Sequence, residues 1–239
     1  MVDAKSQALG LLMKDPYRNA SVIHIIHTRP DVNVLVEGGS VLAVFTDYEP
    51  VTWGYMACAD PGEAEALAFR SDMCSGYFLT DASMRSSVAL GREPSVNVVC
   101  WQYHLPGNVA VPRSDVPVVD LDPAFAPFIY KNYDYASYVN ERYVALRIAA
   151  GNALGVLDGG SLAAWILTHD EGTIGMLHVM PEHRRKGYGL ALASELIHRL
   201  RSQGRLPFAH IHKTNDKSLS LFTKLGFVRN AEICWLGFK

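Results

Sequence analysis

The sequence predicts an α/β protein in two parts, and three observations carry that prediction. Short apolar runs of strand type alternate with stretches whose apolar residues recur at helical spacing. One such run, ending in Val179-Met180-Pro181, leads into a basic glycine loop and then into a helical pattern, Leu192, Leu196, Ile197 and Leu200. A stretch marked by proline and glycine, from Leu105-Pro106-Gly107-Asn108 through Pro112 and Pro117, separates the two parts. With 49% hydrophobic and 19% charged residues over 239 positions, the chain is globular rather than disordered.

The first part, residues 1–112, reads as an α/β domain. Residues 32–36 and 41–45 flank Glu37-Gly38-Gly39-Ser40, which predicts a hairpin. Residues 51–58 and 96–103 read as further strands. Between them Pro61-Gly62-Glu63 opens an Ala- and Leu-rich helix to about Arg70, proline being tolerated in a first helical turn. The aromatic residues Trp53, Tyr55, Trp101 and Tyr103 alternate at strand spacing. Packing is their default role, and lining a substrate-sized pocket between the two parts is the sharper one.

The second part, residues 113–239, begins with a strand over 116–121, followed by helices over 123–133 and 138–150. Residues 153–157 and 162–168 form hairpin strands around Asp158-Gly159-Gly160, and 173–179 form a central strand. The glycine loop and its helix come next, and Gln203-Gly204-Arg205 gives a C-cap signal. Residues 208–212 read as a strand, and Asn215-Asp216-Lys217-Ser218 opens a short helix that closes at Gly226-Phe227.

The chemistry starts at Arg184-Arg185-Lys186-Gly187-Tyr188-Gly189. A strand, a basic glycine loop and a helix start suit a diphosphate. Glycines let backbone N–H groups approach the phosphates, and the helix start favours the anion. Arginine and lysine add charge from the side. The order is neither a G-x-G-x-x-G fingerprint nor a Walker loop, because Leu190-Ala191 follows Gly189 where a Walker loop has lysine and a hydroxyl residue.

The two motifs together resemble those of the GCN5-related N-acyltransferases, the GNAT superfamily. Its signature is a strand, an R/Q-x-x-G-x-G/A loop, a helix, a strand and N-x-x-A/S-x-x-L-Y/F-x-K-L-G-F. This chain supplies Arg184, Gly187 and Gly189, then Asn215, Ser218, Leu221, Phe222, Lys224, Leu225, Gly226 and Phe227. The run over 177–188, and the presence of an N-terminal half, are most similar to the glycine N-acyltransferase-like branch.

The resemblance implies a mixed, mostly antiparallel sheet with splayed central strands and flanking helices. The N-terminal domain is then a degenerate copy of that fold, and it holds no second glycine loop, so no cofactor is expected there. The resemblance implies acetyl-CoA or another acyl-CoA as co-substrate, with no metal. It puts the backbone of Leu177 and Val179 against pantetheine. Arg184, Arg185, Lys186, Gly187, Tyr188 and Gly189 face the diphosphate, and Asn215, Ser218 and Phe222 lie at the thiol end.

The implied reaction is attack of an amine on a thioester, by direct transfer in a ternary complex. It needs a base for the amine proton, a donor for the oxyanion and an acid for the leaving sulfur. The sequence departs from the family here. Thr173 stands at the usual glutamate position and Phe222 at the usual tyrosine. Three residues are available instead: Glu171 ahead of Thr173, His178 on the central strand, and Ser218 as a donor to sulfur.

The expected acceptor is a small-molecule amine or amino acid. A protein or peptide amine is one alternative, and an acyl-CoA sensor without turnover is another. Residues 1–115 hold 8 basic against 13 acidic side chains, and the remainder 14 against 11. The positive excess is local to the loop and its helix, which suits a polyanionic small molecule and argues against a nucleic-acid groove. Cys58, Cys74, Cys100 and Cys234 are widely spaced and read as buried thiols. His210 and His212 share a strand face without a carboxylate or cysteine to complete a metal set. No membrane span and no leader pattern are read, so a soluble cytoplasmic protein is expected, with a homodimer as one option.

Overall fold

The computed structural model describes residues 3–46, 51–71 and 74–238. By contacts the chain divides into two compact units, and neither is continuous in sequence. One unit takes Met1–His104, His210–Leu219 and Val228–Lys239. The other takes Leu105–Ala209 and Ser220–Phe227.

The first unit begins with helices α1 (Ala4–Leu12) and α2 (Ala20–Thr28). Asp3 caps α1 by accepting from the backbone N–H groups of Lys5 and Ser6. Strands β1 (Asn33–Glu37) and β2 (Ser40–Thr46) form the expected hairpin. Then follow β3 (Thr52–Ala57), α3 (Pro61–Arg70), β4 (Gly76–Leu79), α4 (Arg85–Ala89) and β5 (Val96–His104). Asp60 caps α3, and Pro61 occupies its first turn.

The second unit contains β6 (Val119–Asp120), α5 (Ala126–Lys131), α6 (Glu141–Ala149), β7 (Ala153–Asp158), β8 (Ser161–Thr168), β9 (Ile174–Val179) and α7 (Tyr188–Ser202). Strand β10 (Phe208–His212) and helix α8 (Asp216–Lys224) each run across the division between units, and β11 (Val228–Gly237) returns to the first unit.

Two sheets result, with orders β1-β2-β3-β4-β11-β5-β10 and β6-β7-β8-β9. The paired strands are antiparallel throughout the smaller sheet, and in the larger one β3 and β4 run parallel. The fold is therefore the mixed, mostly antiparallel α/β arrangement expected. The last strand, β11, pairs with both β4 and β5.

Alternation along the strands of the first unit feeds two cores. Val41, Ala43, Tyr55 and Phe78 point to the side packed by α1 and α2, while Leu42, Met56, Tyr77 and Leu79 point to the side of α3. In the second unit β8 is buried at every position but its first, so both of its faces are covered. Helix α7 packs on β7, β8 and β9 through Leu192, Leu196, Ile197 and Leu200.

Several elements differ from the sequence reading. Helices α1, α2 and α4 and strand β4 were not anticipated. The strand expected over 116–121 shrinks to Val119–Asp120, because Pro117 has no N–H to pair. The helix expected over 123–133 opens with a 3₁₀ turn, Pro123–Phe125, that runs into α5, and the one expected over 138–150 starts only at Glu141, after a 3₁₀ turn over Ala136–Tyr138. Among the described residues no helix is long and apolar enough to cross a membrane.

Candidate functional site

The loop after β9 joins unusual backbone conformations to the start of a helix. Arg184 is extended, and Arg185 and Gly187 both adopt left-handed backbone conformations, with φ of 66° and 80°. Gly187 is the N-cap of α7, and no side chain caps that helix. The first intrahelical bond runs from the N–H of Ala191 to the carbonyl of Gly187 at 3.0 Å. The first turn of α7 therefore presents backbone donors outward together with its positive dipole end.

A Cβ added at Gly187 would meet nothing, and one at Gly189 would lie 3.7 Å from Val179 and 3.9 Å from Leu221. Packing does not demand glycine at either place. The bare backbone leaves open space over the helix start, and the left-handed φ at Gly187 is its other reason. These residues fit a diphosphate.

Side chains around the loop are tied down. Arg184 donates from Nε to the carbonyl of Val179 at 3.2 Å. Lys186 donates to Asp158 at 3.0 Å, Tyr188 donates to the same carboxylate oxygen at 3.2 Å, and His183 lies 3.2 Å from it. Asp158 is the last residue of β7, paired with Ser161 across the hairpin turn into β8. The bond from Lys186 and its charge hold the Asp158 carboxyl below the usual range, and the same bond raises Lys186. Neither Asp158 nor His183 stood out in the sequence, because only the folded hairpin brings residue 158 to the loop.

Strand β9 is the last strand of its sheet. Its ladder to β8 slips between Trp165 and Leu167, so that Met176 and Leu177 oppose Ile166 alone. Met176 absorbs this bulge with φ of 51°, a conformation that a side-chain-bearing residue rarely holds. The bulge turns backbone groups off the ladder in the strand where the sequence placed pantetheine. His178 stacks on its cross-strand partner Trp165, with centroids 4.7 Å apart at 17°.

Glu171 lies at the other end of β9, in the β8–β9 turn. It is almost fully buried, and Thr173 donates to it at 2.6 Å. Burial, reinforced by Asp170, pushes the Glu171 carboxyl up to about 8. Tyr143 from α6 bridges the turn, 2.9 Å from His169 Nδ1 and donating to Asp170 at 2.9 Å. Burial pushes His169 down to about 4 and Tyr143 well above its ordinary range. At about 3.3 Å per residue, Glu171 and His178 are separated by roughly 20 Å of strand, so they do not converge on one reacting atom.

Asn215 and Ser218 belong to the first unit by contacts. Asn215 accepts from the backbone N–H of Ser218 at 3.1 Å and so caps α8. Phe222 is buried, edge-on to Phe227 with centroids 4.9 Å apart. Of the aromatic residues considered for an acceptor pocket, Tyr55 is buried in its core, and Trp101 carries Lys213 and Arg229 over its ring, each at 4.3 Å.

A family model described as FR47-like protein matches residues 153–236, from β7 into β11, and so includes the bulged strand and the loop. Solved structures match nearly the whole chain. A Drosophila protein aligns at a TM-score of 0.75 with 18% identity, covering 98% of this chain and 95% of its own. The GCN5-related N-acetyltransferase from Kribbella flavida aligns at 0.56 with 15% identity, covering 92% and 93%. This chain has the GNAT fold. A tandem GNAT protein from the clavulanic acid biosynthesis pathway aligns at 0.52 with 16% identity, covering 96% and 92%, so the GNAT likeness extends over the N-terminal half. No curated protein sequence matches the chain.

Proposed function

We propose that the protein is an acyl-CoA-dependent N-acyltransferase, with acetyl as the group moved and a small amine or amino acid as acceptor. The uncapped start of α7 behind Arg185 and Gly187 is the observation that carries this reading. In it, the N–H groups of the first turn of α7, with Arg184, Arg185 and Lys186, hold the diphosphate. The outer edge of β9 at Leu177 and Val179 pairs with pantetheine once Arg184 turns from the Val179 carbonyl to the diphosphate, and Asn215, Ser218 and Phe222 serve the thiol end as the family motif implies. The stretch over 177–188 and the two-part layout favour the glycine N-acyltransferase-like branch.

In the reaction, the amine nitrogen bonds to the acyl carbon as the carbon–sulfur bond breaks. A backbone N–H freed by the Met176 bulge stabilises the oxyanion. Glu171, reached through the Thr173 hydroxyl, takes the amine proton, and Ser218 donates a hydrogen bond to the leaving thiolate, which takes its proton from water. Thr173 occupies the position of the usual glutamate, and its 2.6 Å bond ties that position to a carboxyl. His178 is the alternative base.

A second reading, an acyl-CoA sensor without turnover, draws on Phe222, which packs on Phe227 where the family often has a tyrosine. Free-thiol release from acetyl-, propionyl- and benzoyl-CoA against amines, glycine and lysine-bearing peptides separates the readings. Release that depends on a small amine supports the enzyme, and release with peptides alone moves the acceptor to a protein. Binding without release supports the sensor. Arg185→Ala weakens coenzyme A binding by about tenfold or more. An unchanged Kd removes the diphosphate assignment.

A further inference from the structure

Helix α7 carries a second built site, away from the glycine loop. Ala191, Ser194, Glu195 and His198 recur at i, i+3, i+4 and i+7, which puts them on one stripe of the helix. They wall a cavity of about 280 Å³. The opposite wall is the irregular segment leading to β6, through Arg113, Val116 and Val118. That segment is clamped to the helix on both sides of the cavity. Arg201 donates to the carbonyls of Pro106 and Val109, each at 2.8 Å, and Arg199 pairs with Asp120.

Two side chains of this wall carry buried polar atoms with no hydrogen-bond partner, Ser194 Oγ and His198 Nε2. Ser194 is 2% exposed. A mid-helix serine usually bonds back to a carbonyl in the preceding turn, and this one does not. Buried groups left unsatisfied call for an occupant. The cavity lies just under the ~300–1,000 Å³ of pockets for drug-sized molecules, so that occupant is small.

The lining selects its chemistry. A purely anionic ligand would meet Glu195, and a purely cationic one would meet Arg113. A molecule carrying both charges satisfies both. We propose that this cavity binds a small zwitterion of the amino-acid class, with its carboxylate toward Arg113 and its ammonium toward Glu195. Ser194 and His198 add polar character to the helix wall, and Val116 and Val118 receive an aliphatic side chain.

The test is calorimetric titration of the full-length protein with valine, N-acetylvaline and valinamide, followed by each standard amino acid. Valine binds, and the two derivatives, each lacking one charge, bind at least about tenfold more weakly. Glu195→Gln and Arg113→Gln each reduce valine affinity by a similar factor while coenzyme A binding is retained. Arg113 is exposed on the clamped segment, so its variant folds even where a helix substitution does not. No response to any amino acid overturns the proposal. So does binding of N-acetylvaline equal to that of valine, or a response that survives both substitutions. A protein that binds valine but not coenzyme A keeps this site and loses the acyl-CoA reading.

Discussion

The glycine loop and the β8–β9 turn lie at opposite ends of one strand, and they handle charge in opposite ways. Around the loop the cations are exposed, the backbone donors point outward, and the Asp158 carboxylate is ionised against Lys186. In the turn, Glu171 and Tyr143 are buried and His169 and Asp170 half-buried beside them, and burial drives His169 and Glu171 toward their neutral forms. In the reaction proposed above, the loop attracts a charge and the turn moves a proton, and β9 joins the two.

The largest effect is expected in the turn. With Glu171 as base, Glu171→Gln lowers kcat by roughly 10²–10⁴. The wild-type rate rises with pH through about 8, and the variant loses that limb. His178→Gln leaves the rate nearly unchanged. The reverse result, a slow His178→Gln and a normal Glu171→Gln, moves the base to the bulged end of β9.

Stability gives an independent reading of the same turn. The folded state holds the Glu171 proton more tightly than the unfolded chain does, so Glu171 costs stability as pH rises from about 4.5 to about 8. His169 acts in the other direction. Its folded form resists protonation, so stability falls as pH drops from about 6.5 to about 4. Denaturant titrations across this range show a fall on each side, and Glu171→Gln removes only the alkaline one. An unchanged alkaline fall in the variant would place its source elsewhere.

A smaller effect belongs to the loop. Gly187→Ala meets no neighbour, so its cost comes only from the left-handed φ, about 1 kcal/mol. A thermal midpoint that does not move shows that the loop relaxes without strain.

The same contrast explains what the sequence disclosed. The loop is local: strand, basic residues, glycines and helix follow one another within residues 174–202. Helix α3 and strand β10 were legible at their boundaries for similar reasons, since Asp60-Pro61 and Pro207 mark their starts. The turn gathers Tyr143 from one helix and His169 to Thr173 from another segment, so the sequence offered Glu171 as a candidate base without showing that the fold would bury it. Strand β4 spans only Gly76–Leu79 and is buried at every position, leaving no alternation to detect. Helix α2 packs β-branched residues, Val22, Ile25 and Ile26, into its core face, a composition equally at home in a strand. The insertion of β11 between β4 and β5 has no local signal, because its partners lie over a hundred residues away.

The smallest expected effect tests how the loop is held before an anion arrives. Asp158 engages Lys186, Tyr188 and His183 through one carboxylate oxygen, so it competes with a phosphate for their donors. Asp158→Asn removes that competitor and a negative charge from beside the helix start. Coenzyme A then binds a few-fold more tightly at low salt, and the gain shrinks as ionic strength rises, because these groups are exposed and screened. Weaker binding in the variant gives Asp158 the opposite role, holding Lys186 and Tyr188 in place for the ligand. Because the bond from Lys186 is the main cause of the lowered Asp158 pKa, Lys186→Met should return the Asp158 carboxyl toward the usual carboxylate range, which an NMR titration of that side chain reads directly.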